Sequence, residues 1–188
     1  MKKSMILIVM AVLCLFLRVH AQSAITQKTE NEKPLLIGDK VPDLLFEDAP
    51  NVPGGKLKFS DFKGKALILD FWGTWCGACI SGFPHVEEIQ KKYGKYLQVI
   101  LIADSGTDSL SVINAFLEKR KKNGEEIKLP VVISKLTKKL FDHNHYPHYV
   151  WVGSDRRIKA ITSADKLEDE SLKRLIAGLD LHLPIKLP

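Results

Sequence analysis

The sequence predicts an α/β fold, a central mixed β-sheet flanked by helices, and three observations carry that prediction. Short apolar runs at 66–71, 96–103, 130–133 and 149–152 read as buried strands. Segments with apolar residues at helical spacing alternate with them. The chain then closes with a strand pair around Gly153-Ser154-Asp155 and a last amphipathic helix. A length of 188 residues suits one domain with a core of ordinary size.

The first residues stand apart. Lys2 and Lys3 precede an apolar run, Met5 to Leu17, and Val19-His20-Ala21 places small residues at the outer positions of a cleavage site before Gln22. Residues 1–21 read as a secretory signal peptide. An uncleaved membrane anchor is the alternative, although the run is short for a spanning helix. Cys14 follows Leu13, where a lipid-modified cysteine would want a small residue, so it reads as filler of the apolar segment. Removal of residues 1–21 lowers the formal charge from +6 to +3. The run Lys119-Arg120-Lys121-Lys122 follows an apolar helix face and reads as a solvated helix end, with no base-stacking aromatics among its charges. No nucleic-acid partner is expected. Export, to the periplasm, would place the mature chain where disulfides persist.

Residues 22–34 are polar and aperiodic, a flexible linker; 35–182 carry the domain and 183–188 a C-terminal tail. Leu44-Leu45-Phe46 and Lys56-Leu57-Lys58-Phe59 flank Pro53-Gly54-Gly55, two short strands around a turn, an N-terminal β-hairpin extension. Ser60-Asp61-Phe62 reads as a short helical turn. Ala66 to Phe71 is the first long strand. Ile80, Phe83, Val86, Ile89 and Tyr93 recur at helical spacing; Pro84 should kink that helix and Gly94 stop it. Tyr96 to Ala103 is a second buried strand. Thr107 or Asp108 can cap a helix bearing Leu110, Ile113, Phe116 and Leu117, ended by Asn123-Gly124. Pro130 to Ile133 and Tyr149 to Val152 are strands, with a short helix from Lys135 to Phe141 between them. Ile158 to Thr162 completes the hairpin. Asp165 with Glu168 makes a capping-box-like start to a helix carrying Leu167, Leu172, Leu175, Ile176 and Leu179.

The chemistry centres on Cys76 and Cys79. If Gly77 opens a helix, that spacing puts both sulfurs on one side of its first turn. The first thiol then lies beside unpaired backbone N–H groups and the positive end of the helix dipole, which favour thiolate, the attacking species in disulfide exchange. Half a zinc site and a purely structural disulfide are the other readings. A zinc site needs two more ligands, and the sole further cysteine is Cys14; a three-residue bridge closes little loop entropy. Asp70, in an apolar strand, is costly as a carboxylate, so its pKa should rise. It reads as a proton acceptor for Cys79 or as a sheet-end residue capping a turn.

Asp70-Phe71-Trp72-x-x-Trp75-Cys76-Gly77-x-Cys79 resembles the active-site segment of thioredoxins. Gly38-Asp39-x-x-Pro42-Asp43 and Leu57-x-Phe59-Ser60-Asp61-Phe62-Lys63-Gly64-Lys65 are similar to the lead-in of secreted TlpA/ResA-type thiol–disulfide reductases. The resemblance spans roughly 35–180 and implies a thioredoxin-like fold. It implies a thiol–disulfide oxidoreductase in which Cys76 attacks, Cys79 resolves, and the two form a redox-active Cys76–Cys79 disulfide. It makes Asp70 the buried acid that takes the Cys79 proton. It implies a cis peptide bond at Pro147, where sequence alone would favour trans. The Tyr146 backbone would then face a substrate strand, with Trp75, Gly77 and Ala78 on the substrate surface; Trp75 has core packing as its alternative. It favours reduction over oxidation of protein disulfides, for cytochrome c maturation or envelope redox homeostasis. It implies an upstream thiol donor linked to the membrane, a monomer, and no cofactor or metal.

This chain departs from the family at two places. Gly82 stands where those reductases often carry glutamate, and Tyr146 and His148 replace small residues beside Pro147. Two rival readings remain. A copper- or zinc-binding module would use His143, His145 and His148 with the thiols. A thiol peroxidase would want a Pro-x-x-x-Thr/Ser-x-x-Cys pattern, of which Thr74 is present but the proline is not.

Overall fold

The computed structural model describes residues 33–183 apart from Ser105 and Thr107. The expected signal peptide, nearly all of the linker, the tail beyond Leu183 and the expectation that Thr107 caps a helix lie outside the described residues. The elements are β1 (Leu45–Phe46), β2 (Leu57–Lys58), β3 (Ala66–Trp72), α1 (Gly77–Tyr93), β4 (Leu97–Asp104), α2 (Leu110–Lys122), β5 (Val131–Ser134), α3 (Leu136–Leu140), β6 (His148–Val152), β7 (Ile158–Thr162) and α4 (Asp169–Ile176), with 3-10 turns at Phe59–Phe62 and Ala164–Lys166. The fold is α/β and thioredoxin-like, with a hairpin ahead of the core.

The main sheet has the order β5-β4-β3-β6-β7. The strands β3, β4 and β5 run parallel, and β6 and β7 are antiparallel additions. Every residue of β3 and β4 is buried, as their mostly apolar runs, broken by Asp70, Gln98 and Asp104, require of strands covered on both faces. One face packs under α1, α2 and α4 through Phe83, Val86, Ile89, Ile113, Leu172 and Leu175. The other is covered by the N-terminal segment, with Phe46 and Phe59 5.4 Å apart between hairpin and sheet. Asn51 seals the β5 edge: its amide donates to the carbonyls of Ile127 and Leu129 and its oxygen accepts from the Val131 N–H.

Several local signals read differently in three dimensions. Ser109, not Asp108, caps α2, its hydroxyl accepting from the Val112 N–H. Asp165 and Glu168 do not open a helix together: 164–166 is a 3-10 turn, and α4 starts at Asp169 with Glu168 at its N-cap making no side-chain bond. Asp169 instead accepts from Lys173, Lys92 and the Tyr93 hydroxyl, which together pull its carboxyl well below the usual range. Gly94 ends α1, yet with φ −58° it is not left-handed. Close approach demands the glycine, since a Cβ there would lie 2.6 Å from the Gln90 carbonyl oxygen. Leu110 and Leu179 are exposed and outside the core.

Candidate active site

The central strand β3 ends at Trp72, at the C-terminal end of the parallel strands. The tight turn Gly73–Cys76 follows, closed by the Cys76 N–H donating to the Gly73 carbonyl at 3.0 Å. Helix α1 begins at Gly77 and Cys76 is its N-cap, its sulfur accepting from the Cys79 N–H at 3.2 Å. That contact is the one a serine or aspartate oxygen makes at other helix starts, here made by a nucleophile-capable atom. Cys76 and Cys79 are disulfide-bonded, with Cα atoms 5.3 Å apart. Cys76 is 7% exposed and Cys79 1%. Cys76 is less open than a helix end suggests, because it packs in the core cluster with Trp72 and Phe83. Around it Trp75, Gly77 and Ala78 are exposed.

Asp70 lies on β3, paired with Tyr149 of the core cluster that also holds both cysteines, and is 1% exposed. Burial pushes its carboxyl well above the ordinary carboxylate range, and the nearby Tyr149 hydroxyl only partly offsets this. Neither carboxyl oxygen has a hydrogen bond of ordinary geometry. Tyr149 stands opposite Asp70 in the antiparallel β3–β6 register, so the two side chains share a sheet face. Sequence reading missed Tyr149; alternation along β6 hints at its face, but its partner depends on register.

The Tyr146–Pro147 bond is cis. Trp75 packs edge-on against Tyr146, ring centroids 5.1 Å apart, so Trp75 lies at the surface whereas Trp72 is fully buried against Phe83 and Phe116. The Tyr146 phenol is pushed up to about 12 by burial first and then by the charges of Asp104 and Asp108. Asp108 is 2% exposed and accepts from the Thr74 N–H at 2.8 Å and the Thr74 hydroxyl at 2.7 Å. Sequence reading treated it as a helix cap.

The histidines do not converge on the sulfurs. His143 and His148 are buried and stacked, 4.7 Å between centroids, and both rings contact Phe71 in the core on the other side of the sheet; His145 is exposed. Among the described residues no three His, Cys, Asp or Glu side chains form a metal cluster. At Gly82 an added Cβ would meet nothing within 4 Å, so packing does not require glycine there.

The redoxin family profile matches residues 36–176. The chain is 33% identical over 104 residues to the thiol-disulfide oxidoreductase ResA of Bacillus thuringiensis subsp. konkukian, 55% of either protein; it thus spans about half the length of the curated relatives it matches. It is similar in structure to a candidate thiol:disulfide interchange protein DsbE from Chlorobium tepidum, with a TM-score of 0.59 and 24% identity over 77% of this chain and 97% of that one. It is also similar to the exposed lipoprotein thioredoxin Etrx1 of Streptococcus pneumoniae, with a TM-score of 0.58 and 24% identity over 73% and 100%. At that identity the two structures show a shared fold.

Proposed function

The chain belongs to the redoxin family, and from that premise we propose that it is a thiol–disulfide oxidoreductase that reduces protein disulfides through Cys76 and Cys79. The observation that carries the reading is the Cys76 sulfur at the N-cap of α1, taking a backbone N–H, with a buried second sulfur one turn on. Unsatisfied N–H groups and the helix dipole stabilise negative charge there, so reduced Cys76 should ionise below the ordinary thiol value of ~8.5.

The Cys76 thiolate attacks one sulfur of a substrate disulfide. The S–S bond breaks, the other substrate sulfur leaves as thiolate, and a mixed disulfide forms. Cys79 loses its proton to Asp70, attacks the Cys76 sulfur, and expels the second substrate thiolate. The substrate gains two electrons and the pair is left as the Cys76–Cys79 disulfide. The ionised form of Asp70 is the acceptor, and its raised proton affinity suits a base that must take a proton from a thiol. An upstream dithiol, membrane-linked in this reading, returns the pair to the reduced state.

Trp75, Gly77, Ala78 and the Tyr146–Pro147 loop form the docking surface, with Trp75 and Tyr146 offering apolar contact to the segment flanking the substrate cysteine. Residues 1–21 are an export signal, 22–34 a linker, and 35–182 a monomeric domain that works in the periplasm on envelope redox homeostasis or cytochrome c maturation. No described helix is long and apolar enough to cross a membrane.

The test is insulin disulfide reduction with a regenerating thiol, run beside peroxide turnover. The wild type should reduce insulin, Cys76→Ser should not, and Cys79→Ser should accumulate mixed disulfides. Exchange that survives Cys76→Ser, or peroxide turnover outpacing disulfide reduction, overturns the reading.

A further inference from the structure

Asp108 lies between two loops that leave neighbouring parallel strands. Trp72, at the end of β3, pairs with Ala103 near the end of β4. The chain after β4 folds back on itself: Gly106 N–H donates to the Asp104 carboxylate and Asp108 N–H to the Asp104 carbonyl, at 2.9 and 3.0 Å. This fixes Asp108 to the sheet. Its two oxygens then take both donors of Thr74, backbone and hydroxyl, across a sequence separation of 34. Ser109 already caps α2, so this carboxylate is not occupied as a helix cap.

Thr74 lies inside the turn that presents the nucleophile. The turn is tight: a Cβ at Gly73 would come within 2.7 Å of Trp75 Nε1 and 3.2 Å of Asp108 Oδ2. Its closing bond runs from the Cys76 N–H to Gly73, and the next contact outward is the Cys79 N–H on the Cys76 sulfur. A shift at Thr74 therefore moves the sulfur relative to the helix start. We infer that Asp108 is a positioning residue: by accepting both Thr74 donors it holds the Gly73–Cys76 turn where the Cys76 sulfur caps α1.

The inference rests on the proposed thiol chemistry, and two physical effects oppose each other in it. As a clamp, Asp108 favours the Cys76 thiolate by holding it on the helix N–H groups. As a nearby negative charge, it disfavours that thiolate. The other titratable groups at this end of the sheet are Asp70 and Tyr149 on paired strands, Asp104 with its partner Lys138, and Tyr146 in the proline loop. Substitution at position 108 leaves these groups in place, and the one it touches, the Tyr146 phenol raised partly by the Asp108 charge, stays neutral at the pH of the assay, so variants there separate clamp from charge. Asparagine removes the charge and keeps an acceptor for the Thr74 N–H, while its amide can donate to the hydroxyl; alanine removes both charge and clamp.

The experiment is the pH dependence of iodoacetamide alkylation of Cys76 in the reduced full chain, with circular dichroism to confirm folding. Asp108→Ala should raise the Cys76 ionisation midpoint and slow alkylation at pH 6.5 by about threefold or more, as thiolate fraction dictates. Asp108→Asn should not raise it. If Asp108→Ala does not fold, Thr74→Val, which loses the hydroxyl bond alone, should shift the midpoint in the same direction and Thr74→Ser should restore it. A midpoint that falls or stays put in folded Asp108→Ala, or in Thr74→Val, overturns the clamp with the parent reading intact. An ordinary thiol midpoint in the wild type overturns both.

Discussion

Asp70→Asn makes the buried carboxyl measurable without reference to any substrate. Asp70 is buried in β3 with both oxygens lacking ordinary hydrogen bonds, and burial holds its carboxyl well above the usual range. In the unfolded chain it titrates near ~3.9. Below that pH both states are protonated and the carboxyl imposes no ionisation cost. As pH rises, the unfolded chain releases the proton first and the folded state loses stability at ~1.36 kcal/mol per pH unit. The loss stops once pH passes the folded value. Asparagine cannot ionise, so its stability lacks this slope; whatever a buried amide costs is a constant offset. The stability of Asp70→Asn relative to wild type should therefore climb from about pH 4 and then level, and the pH of levelling reports the folded pKa. With a urea m-value of ~1–3 kcal/mol/M, the climb corresponds to roughly 0.5–1.4 M of midpoint per pH unit. The assay is urea unfolding from pH 3.5 to 9 on the disulfide form, in which the two cysteines do not titrate. Parallel wild-type and Asp70→Asn curves across that range would refute the raised proton affinity of the buried carboxyl, and with it the proposed base for Cys79.

Three further outcomes are expected. Gly94→Ala should destabilise the protein by about 1–3 kcal/mol in urea unfolding, because its Cβ meets the Gln90 carbonyl at 2.6 Å where backbone must give way; a neutral result would mean the α1 terminus relaxes freely. Trp75→Ala should leave stability within about 1 kcal/mol, since the ring is 56% exposed, while raising the KM for a protein disulfide more than that for a small disulfide; equal changes for both would remove Trp75 from the docking surface. Phe83→Ala should cost about 3–5 kcal/mol, because that ring packs edge-on against the buried Trp72 at 5.1 Å; a loss under 1 kcal/mol would show that the core beneath the dithiol closes over the cavity.

The two long strands were legible because a run of seven or eight mostly apolar residues has few other stable uses. The Ala66–Trp72 run needs cover on both faces, and that places it at the middle of a sheet. Helix α1 was legible from apolar spacing, and the two sulfurs from their place at its start. The cis bond before Pro147 was readable only through family resemblance, since no local residue selects it. The histidines read only as a rival ligand set: each ring can bind metal, and nothing local says that two of them stack behind Phe71.

Chain order alone determined the alternation of strands and helices, the dithiol at a strand-to-helix junction, and a carboxylate in an apolar strand, because periodicity and short-range spacing act over a few residues. Tertiary structure decided what those residues meet. Asp108 carries every mark of a helix cap, yet the donors that claim it come from 34 positions away, while Ser109 takes the cap. Tyr149 faces Asp70 only through the antiparallel register of β3 and β6. Hydrogen bonds and buried charge are satisfied by whatever packing brings within about 3 Å, and a linear sequence carries no measure of that distance.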